Sequence, residues 1–260
     1  MLSYQHHYHA GNPADVHKHA ALAWVLAYLC QKDKPLSYIE THAGRGLYDL
    51  GDVAALKTGE AAQGVARLEA RFDADHPYRQ RLNETRAAHG AQAYPGSPLI
   101  AALSLRGTDS VHLAERHPQE FAALSQAMMP YAVRVHAADG FTKIHELTPP
   151  TPRRGLLLID PSFETVADYD GMPRFIGQVA RKWNVGIIAL WYPILKDGRH
   201  VPMLLALQDA HPGALCHELR FAPAREGHGM IGSGLFVINP PWGLSEEAAR
   251  LGGIFGSLKA

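Results

Sequence analysis

Gly155-Leu156-Leu157-Leu158-Ile159-Asp160-Pro161-Ser162-Phe163 is a continuous apolar run that stops on a carboxylate and a proline. An apolar run without alternation is the pattern of a parallel strand covered on both faces. The turn after it would then lie at the strand's carboxyl end. In an open α/β sheet that is where ligands bind, near the reversal of strand order.

The neighbouring segments extend the pattern. Strands are expected at 36–41, 110–114, 132–136, 155–159, 186–192, 215–221 and 234–239, with helices at 77–89, 97–105, 118–129, 171–183 and 201–210. Asn12 is a good N-cap and Pro13 suits the first helical position, so a helix is expected from there to about Cys30. Seven strands alternating with helices specify an α/β fold: a seven-stranded, mostly parallel sheet with helices on both faces. About 68 residues separate the first two strands, far more than one helical crossover needs. Residues 52–94 are therefore expected to form a small inserted helical subdomain, with helices at 61–72 and 77–89. Ser97 could cap the helix that follows. The chain reads as a single domain over 1–260.

Composition excludes several classes. With 47% hydrophobic and 19% charged residues, the chain suits a packed domain rather than a disordered one. Lys plus Arg and Asp plus Glu are 25 each, so any contact with nucleic acid must use a local basic patch. Arg174, Arg181, Lys182, Lys196 and Arg199 offer one, mostly as solvated helix faces with a phosphate-contacting minority. Cys30 and Cys216 are expected as buried, reduced thiols. The longest uncharged apolar stretch, 20–30, is too short for a bilayer, which needs about 20 residues, and lacks a signal peptide's basic start. A cytoplasmic protein is expected. Six of the sixteen histidines fall within the first 42 residues, but His17 and His19 point to different sides of a helix and no metal-ligand spacing is present. No metal is expected.

The chemistry should follow the strand ends. Gly44 and Gly46 after the first strand allow close backbone approach to a ligand, although Asp49 stands where a dinucleotide fingerprint has its third glycine. Glu115 after the second strand could accept two hydrogen bonds from ribose hydroxyls, or cap the next helix. Asp139 after the third could take the exocyclic amine of an adenine, or simply form an Asp-Gly turn. Asp160-Pro161-Ser162-Phe163 resembles the (Asp/Asn/Ser)-Pro-Pro-aromatic motif of methyltransferases that modify exocyclic amines. An aromatic amine is a poor nucleophile because its lone pair is delocalised. The Asp160 carboxylate and the Pro161 carbonyl can accept its two N–H bonds and favour an sp³-like nitrogen. Phe163 can stack on a base taken out of its helix, or the run is simply a strand-ending Asp-Pro turn with a buried Phe.

A wider resemblance covers nearly the whole chain. MLSYQHHYHAGNPADVHKH, ETHAGRGLY, GEAAQGVARL, YPGSPLIA, AERHP, ADGF, RRGLLLIDPSFE, ALWYP and FVINPPW, in that order, resemble the bacterial 23S rRNA adenine-N6 methyltransferases of the ribosomal large-subunit methyltransferase J family. The resemblance implies a Rossmann-like methyltransferase fold with a helical insertion and S-adenosyl-L-methionine (SAM) as cofactor. It implies SAM contacts from Lys18, His19, His42, Gly44, Ser97, Glu115, Asp139, Gly140 and Asp160. Asp160, Pro161 and Phe163 would form the catalytic motif, and Tyr4 would approach the RNA with Phe163. Ser162 departs from the family's second proline, and Phe163 from its common tyrosine. A DNA adenine methyltransferase, a non-catalytic RNA-binding protein and a nicotinamide dehydrogenase are the alternatives. No obligatory protein partner is inferred.

Overall fold

Asn12 starts the first helix by accepting the Asp15 N–H at 2.8 Å, and Pro13 occupies the first helical position. The resulting helix, α1 (Pro13–Cys30), is buried on nearly every side, as an all-round apolar helix must be. A computed structural model describes residues 8–223 and 229–258. After α1 come β1 (Ser37–Glu40), β2 (Leu47–Asp49), α2 (Val53–Thr58), α3 (Glu60–Gln63), α4 (Val65–Leu68), α5 (Pro77–His89) and β3 (Ala93–Pro95). Then follow α6 (Ser97–Ser104), β4 (Ser110–Glu115), α7 (Pro118–Met128), β5 (Arg134–Ala137), α8 (Gly140–Leu147) and β6 (Gly155–Ile159). The chain continues with α9 (Val166–Lys182), β7 (Ile187–Leu195), α10 (His200–Ala210), β8 (Leu215–Arg220), β9 (Met230–Ile238) and α11 (Leu244–Phe255).

Seven strands form one sheet in the order β5-β4-β1-β6-β7-β9-β8. The first five are parallel, and β9 runs antiparallel to both β7 and β8. The sheet separates two apolar cores. Leu156 and Leu158 face the core that contains α1, α6 and α11, whereas Leu157 and Ile159 face the core of α8, α9 and α10. The uninterrupted apolar reading of 155–159 has this cause: both faces are covered.

Several local expectations differ from the structure. The helix expected at 61–72 is broken into α3, α4 and a short 3-10 turn. A Cβ on Gly64 would lie 2.0 Å from the Gly11 carbonyl oxygen, which accepts the Val65 N–H at 2.8 Å, so the chain bends there against the start of α1. The Tyr94-Pro95 segment is a strand, paired antiparallel with β2. Ser97 does not cap α6; Gly96 holds that position, and the Ser97 hydroxyl points instead to Glu40. Cys30 and Cys216 are free and half-buried rather than fully buried. Among the described residues, no helix is long and apolar enough to cross a membrane.

Candidate active site

The chain leaves β1, builds β4 and β5 on one side, and crosses to β6 on the other. The reversal opens a cleft of about 460 Å³ over the carboxyl ends of these strands. Lys18, His19, His42, Gly44, Ser97, Glu115, Asp139, Gly140, Asp160, Pro161 and Phe163 all line it. Tyr4 lies outside the described residues.

Asp160 stands at the centre. Its Oδ2 accepts from Lys18 Nζ at 2.6 Å, and Lys18 also lies 3.2 Å from Asp15 Oδ1. Burial works against the Lys18 charge, but the Asp160 and Asp15 carboxylates outweigh it and hold the ammonium above its ordinary pKa. The Asp160 backbone N–H is held by Thr41 Oγ1 at 3.3 Å, which ties the end of β6 to the end of β1. Oδ1 makes no hydrogen bond among the described residues. One carboxylate oxygen is therefore clamped while the other remains available to the cleft.

Beneath this pair lies Glu40, the last residue of β1, with no solvent exposure. It accepts hydrogen bonds from Ser97 Oγ and from Tyr38 Oη at 2.9 Å. Burial pushes its carboxyl up to about 8, against the lowering effect of the two hydroxyls. His42 places Nδ1 2.7 Å from Thr41 Oγ1 and its ring edge on Phe141. Burial lowers its pKa, partly offset by Asp160 and Asp139. His19 reaches the Tyr94 hydroxyl at 2.9 Å.

Glu115 organises the opposite end. Its Oε2 accepts the Gly44 N–H at 2.8 Å and its Oε1 accepts the His117 N–H at 2.7 Å. Each carboxylate oxygen retains a further lone pair for a ligand hydroxyl. Asp139 caps α8 through the Thr142 N–H at 2.9 Å, with Arg116 3.5 Å from its other oxygen. Gly140 permits a close approach: a Cβ there would lie 1.9 Å from the Thr41 carbonyl oxygen.

Phe163 is placed differently from what its motif position suggests. It has a φ of 51°, is 4% exposed, and packs 4.5 Å from the Tyr169 ring and 6.4 Å from Trp191. It supports the cleft wall rather than presenting an open face. Ser162 beside it is exposed and makes no hydrogen bond among the described residues.

Sequence reasoning missed Asp15, Glu40 and Trp191 as parts of this cleft. Asp15 reads from sequence only as a helix-start acid. Glu40 carried a usable signal, an acid closing an apolar strand. Trp191 reads only as strand interior.

The donor set suits SAM. The Asp15 and Asp160 carboxylates match a sulfonium and an ammonium, and the Glu115 oxygens match a ribose diol.

Comparison with known proteins agrees with this chemistry. The family model described as ribosomal RNA large subunit methyltransferase D, RlmJ, matches residues 33–256. The chain is 39% identical over 252 residues to ribosomal RNA large subunit methyltransferase J of Escherichia coli (strain K12), covering 95% of this chain and 90% of that protein. It is 36% identical to the protein of the same name from Haemophilus influenzae, covering 96% and 92%. The crystal structure of protein LPL1258 from Legionella pneumophila superposes with a TM-score of 0.86 at 33% identity, covering 96% and 94% of the two chains. With its family model matched over most of its length and such relatives across nearly all of it, this chain belongs to the ribosomal RNA large subunit methyltransferase J family.

Proposed function

We propose that this protein transfers a methyl group from SAM to the exocyclic N6 of an adenine in 23S ribosomal RNA. The observation that carries the reading is the Asp160 carboxylate at the switch point, one oxygen clamped by Lys18 and the other available to the cleft. Family membership favours RNA over the DNA alternative. Intact Asp160 favours catalysis over RNA binding alone.

SAM, when bound, supplies an electrophilic methyl carbon. Lys18, His19, His42, Gly44, Ser97, Glu115, Asp139 and Gly140 would hold it. Asp160 Oδ1 and the Pro161 carbonyl accept the two N–H bonds of the target amine and draw its lone pair out of ring conjugation. Catalysis comes from orientation and electrostatics. Asp160 need not remove a proton beforehand, because the aromatic amine is essentially non-acidic. Its proton becomes labile only once the nitrogen is alkylated, and Asp160 Oδ1 is placed to receive it. Phe163 backs the wall, and Tyr4 would approach the RNA. Lys196, which directly follows β7, whose last residue Leu195 lines the cleft, is suited to a phosphate contact.

We read residues 52–94 as an insertion within a single domain. The protein acts in the cytoplasm on 23S rRNA without an obligatory protein partner. Mapping N6-methyladenosine on rRNA from cells with and without the gene tests the reading. It expects one adenine to lose its methyl group when the gene is removed, and an unchanged map would overturn it.

Two variants probe the parts of the site. Glu115→Ala should weaken SAM binding by about 1.5–3 kcal/mol, the worth of a hydrogen-bonding group that is charged. The cost includes the Gly44 and His117 amides that Glu115 now holds. Calorimetry should show one site in the wild type; equal affinity in the variant would remove Glu115 from the cofactor site. Ser162→Pro deletes no hydrogen bond among the described residues and should stabilise the turn by about 0.4–1 kcal/mol by restricting the disordered loop. A modest gain in single-turnover rate on rRNA fragments is expected, with SAM affinity unchanged. A large loss of rate would show the serine to be an adapted part of the turn.

A further inference from the structure

Trp191 lies on β7, the strand next to the β6 end that carries Asp160, and away from the β1, β4 and β5 ends that carry Gly44, Glu115 and Asp139. Its half-buried side chain forms the cleft wall with Pro193, Leu195 and Met230. If the cofactor occupies the β1–β4–β5 side, a target base reaches Asp160 from the β7 side. Phe163 is packed beneath that wall, so on the β7 side, among the described residues, the indole is the aromatic surface left to meet the base. Lys18 Nζ lies 5.5 Å from the indole centroid, which couples the orientation of this ring to the ammonium that clamps Asp160.

The indole is held by a chain of buried and half-buried polar groups that the methyl-transfer chemistry does not use. Trp191 Nε1 donates to Ser233 Oγ at 2.9 Å. Ser233 Oγ lies 2.9 Å from His17 Nδ1, and His17 Nε2 lies 3.0 Å from His217 Nδ1. Counting donors sets the direction. Ser233 is fully buried and accepts from the indole, so its single proton has its acceptor at His17 Nδ1. The His17 proton then sits on Nε2 and is donated to His217. This arrangement requires a neutral His17; burial and the adjacent His217 lower its pKa well below the ordinary value. The four groups come from β7, β9, α1 and β8, so they fix one rotamer of Trp191 against three other elements. A fully connected network of this kind rigidifies what it holds.

We propose that Trp191 is the surface on which the target adenine rests, and that Ser233 and His17 are positioning residues that fix its indole. This rests on the methyltransferase reading above. The test uses a 23S rRNA fragment carrying the mapped adenine, and a second fragment with 2-aminopurine in its place. Trp191→Leu should raise KM for the RNA about tenfold, as loss of a base–aromatic stack does, and leave SAM affinity unchanged. The 2-aminopurine emission of its complex should exceed that of the wild type, because the quenching ring is gone. Trp191→Phe keeps a smaller aromatic face but loses the N–H, and should fall between the two. Ser233→Ala should raise KM a few-fold in the wild-type background and have no further effect in Trp191→Leu. An unchanged RNA KM and emission in Trp191→Leu would overturn the proposal, as would a Ser233→Ala effect of equal size in both backgrounds. Absence of methyl transfer by the wild type would instead overturn the reading on which the proposal depends.

Discussion

Asp160→Ala should lower the methyl-transfer rate by about 10²–10³-fold, the usual cost of removing one preorganised polar group aimed at developing charge. The structure separates this effect from unfolding. Lys18 keeps a carboxylate partner in Asp15 at 3.2 Å, so the substitution does not leave a buried ammonium unpaired. Asp160 is itself only partly buried, at 13% side-chain exposure, and its removal opens no large apolar cavity. The circular-dichroism melt should therefore stay near that of the wild type, and SAM binding should survive at reduced strength. Single-turnover transfer from tritiated SAM to an rRNA fragment measures the rate. Transfer within a few-fold of wild type would remove Asp160 from the catalytic role and leave the Pro161 carbonyl as the remaining acceptor.

The parts legible in the sequence were those that depend on local order. The apolar strand 155–159 and its Asp-Pro stop could be read directly, because both-face burial leaves no alternation and a proline ends the run. The cleft could be located from strand ends alone: His42, Glu115, Asp139 and Asp160 are far apart in the chain but all follow parallel strands. What escaped depends on pairing or direction. The strands β2 and β3 are three residues each and take their meaning only from each other. The break at Gly64 is imposed by the Gly11 carbonyl, which no local pattern reveals. Asn239-Pro240-Pro241-Trp242 illustrates direction. It has the letters of an amine-methyltransferase motif, yet it follows the antiparallel β9 and so lies at the opposite end of the strands from Asp160. There Asn239 donates to the Asn184 and Gly186 carbonyl oxygens at 3.0 and 2.8 Å. Phe163 shows the converse: the motif letters identify the aromatic, but a backbone φ of 51° turns it into the wall. No local pattern gives the α1 histidine His17 its partners. His17 is fully buried, with partners on β8 and β9 that lie 200 and 216 positions away.

Glu40 should make folding stability fall as pH rises from about 5 to about 8. Its carboxyl has an ordinary value of 4.5 and is pushed up to about 8 in the folded protein, chiefly by burial. Below pH 4.5 it is protonated both folded and unfolded, so it imposes no penalty. Between the two values the unfolded chain ionises while the folded chain keeps its proton. Stability then drops by up to about 1.4 kcal/mol per pH unit from this group. Above pH 8 both states are ionised and the contribution levels off, with the buried charge fully penalised. Glu40→Gln removes the titration. The amide can still accept from one hydroxyl and donate to the other, since Ser97 and Tyr38 can each reverse their roles. Other groups titrate in both proteins, so the difference between the two urea-unfolding profiles isolates Glu40. That difference should grow in favour of Glu40→Gln from pH 5 to pH 8 and then flatten. Parallel profiles would mean that Glu40 is ionised throughout, and that Lys18 rather than the two hydroxyls sets its state. The sign bears on the site as well. A neutral Glu40 leaves Lys18 facing two charged carboxylates, Asp15 and Asp160, for a net charge of −1 at the switch point. That charge suits a cationic cofactor without placing a second full negative charge beside Asp160.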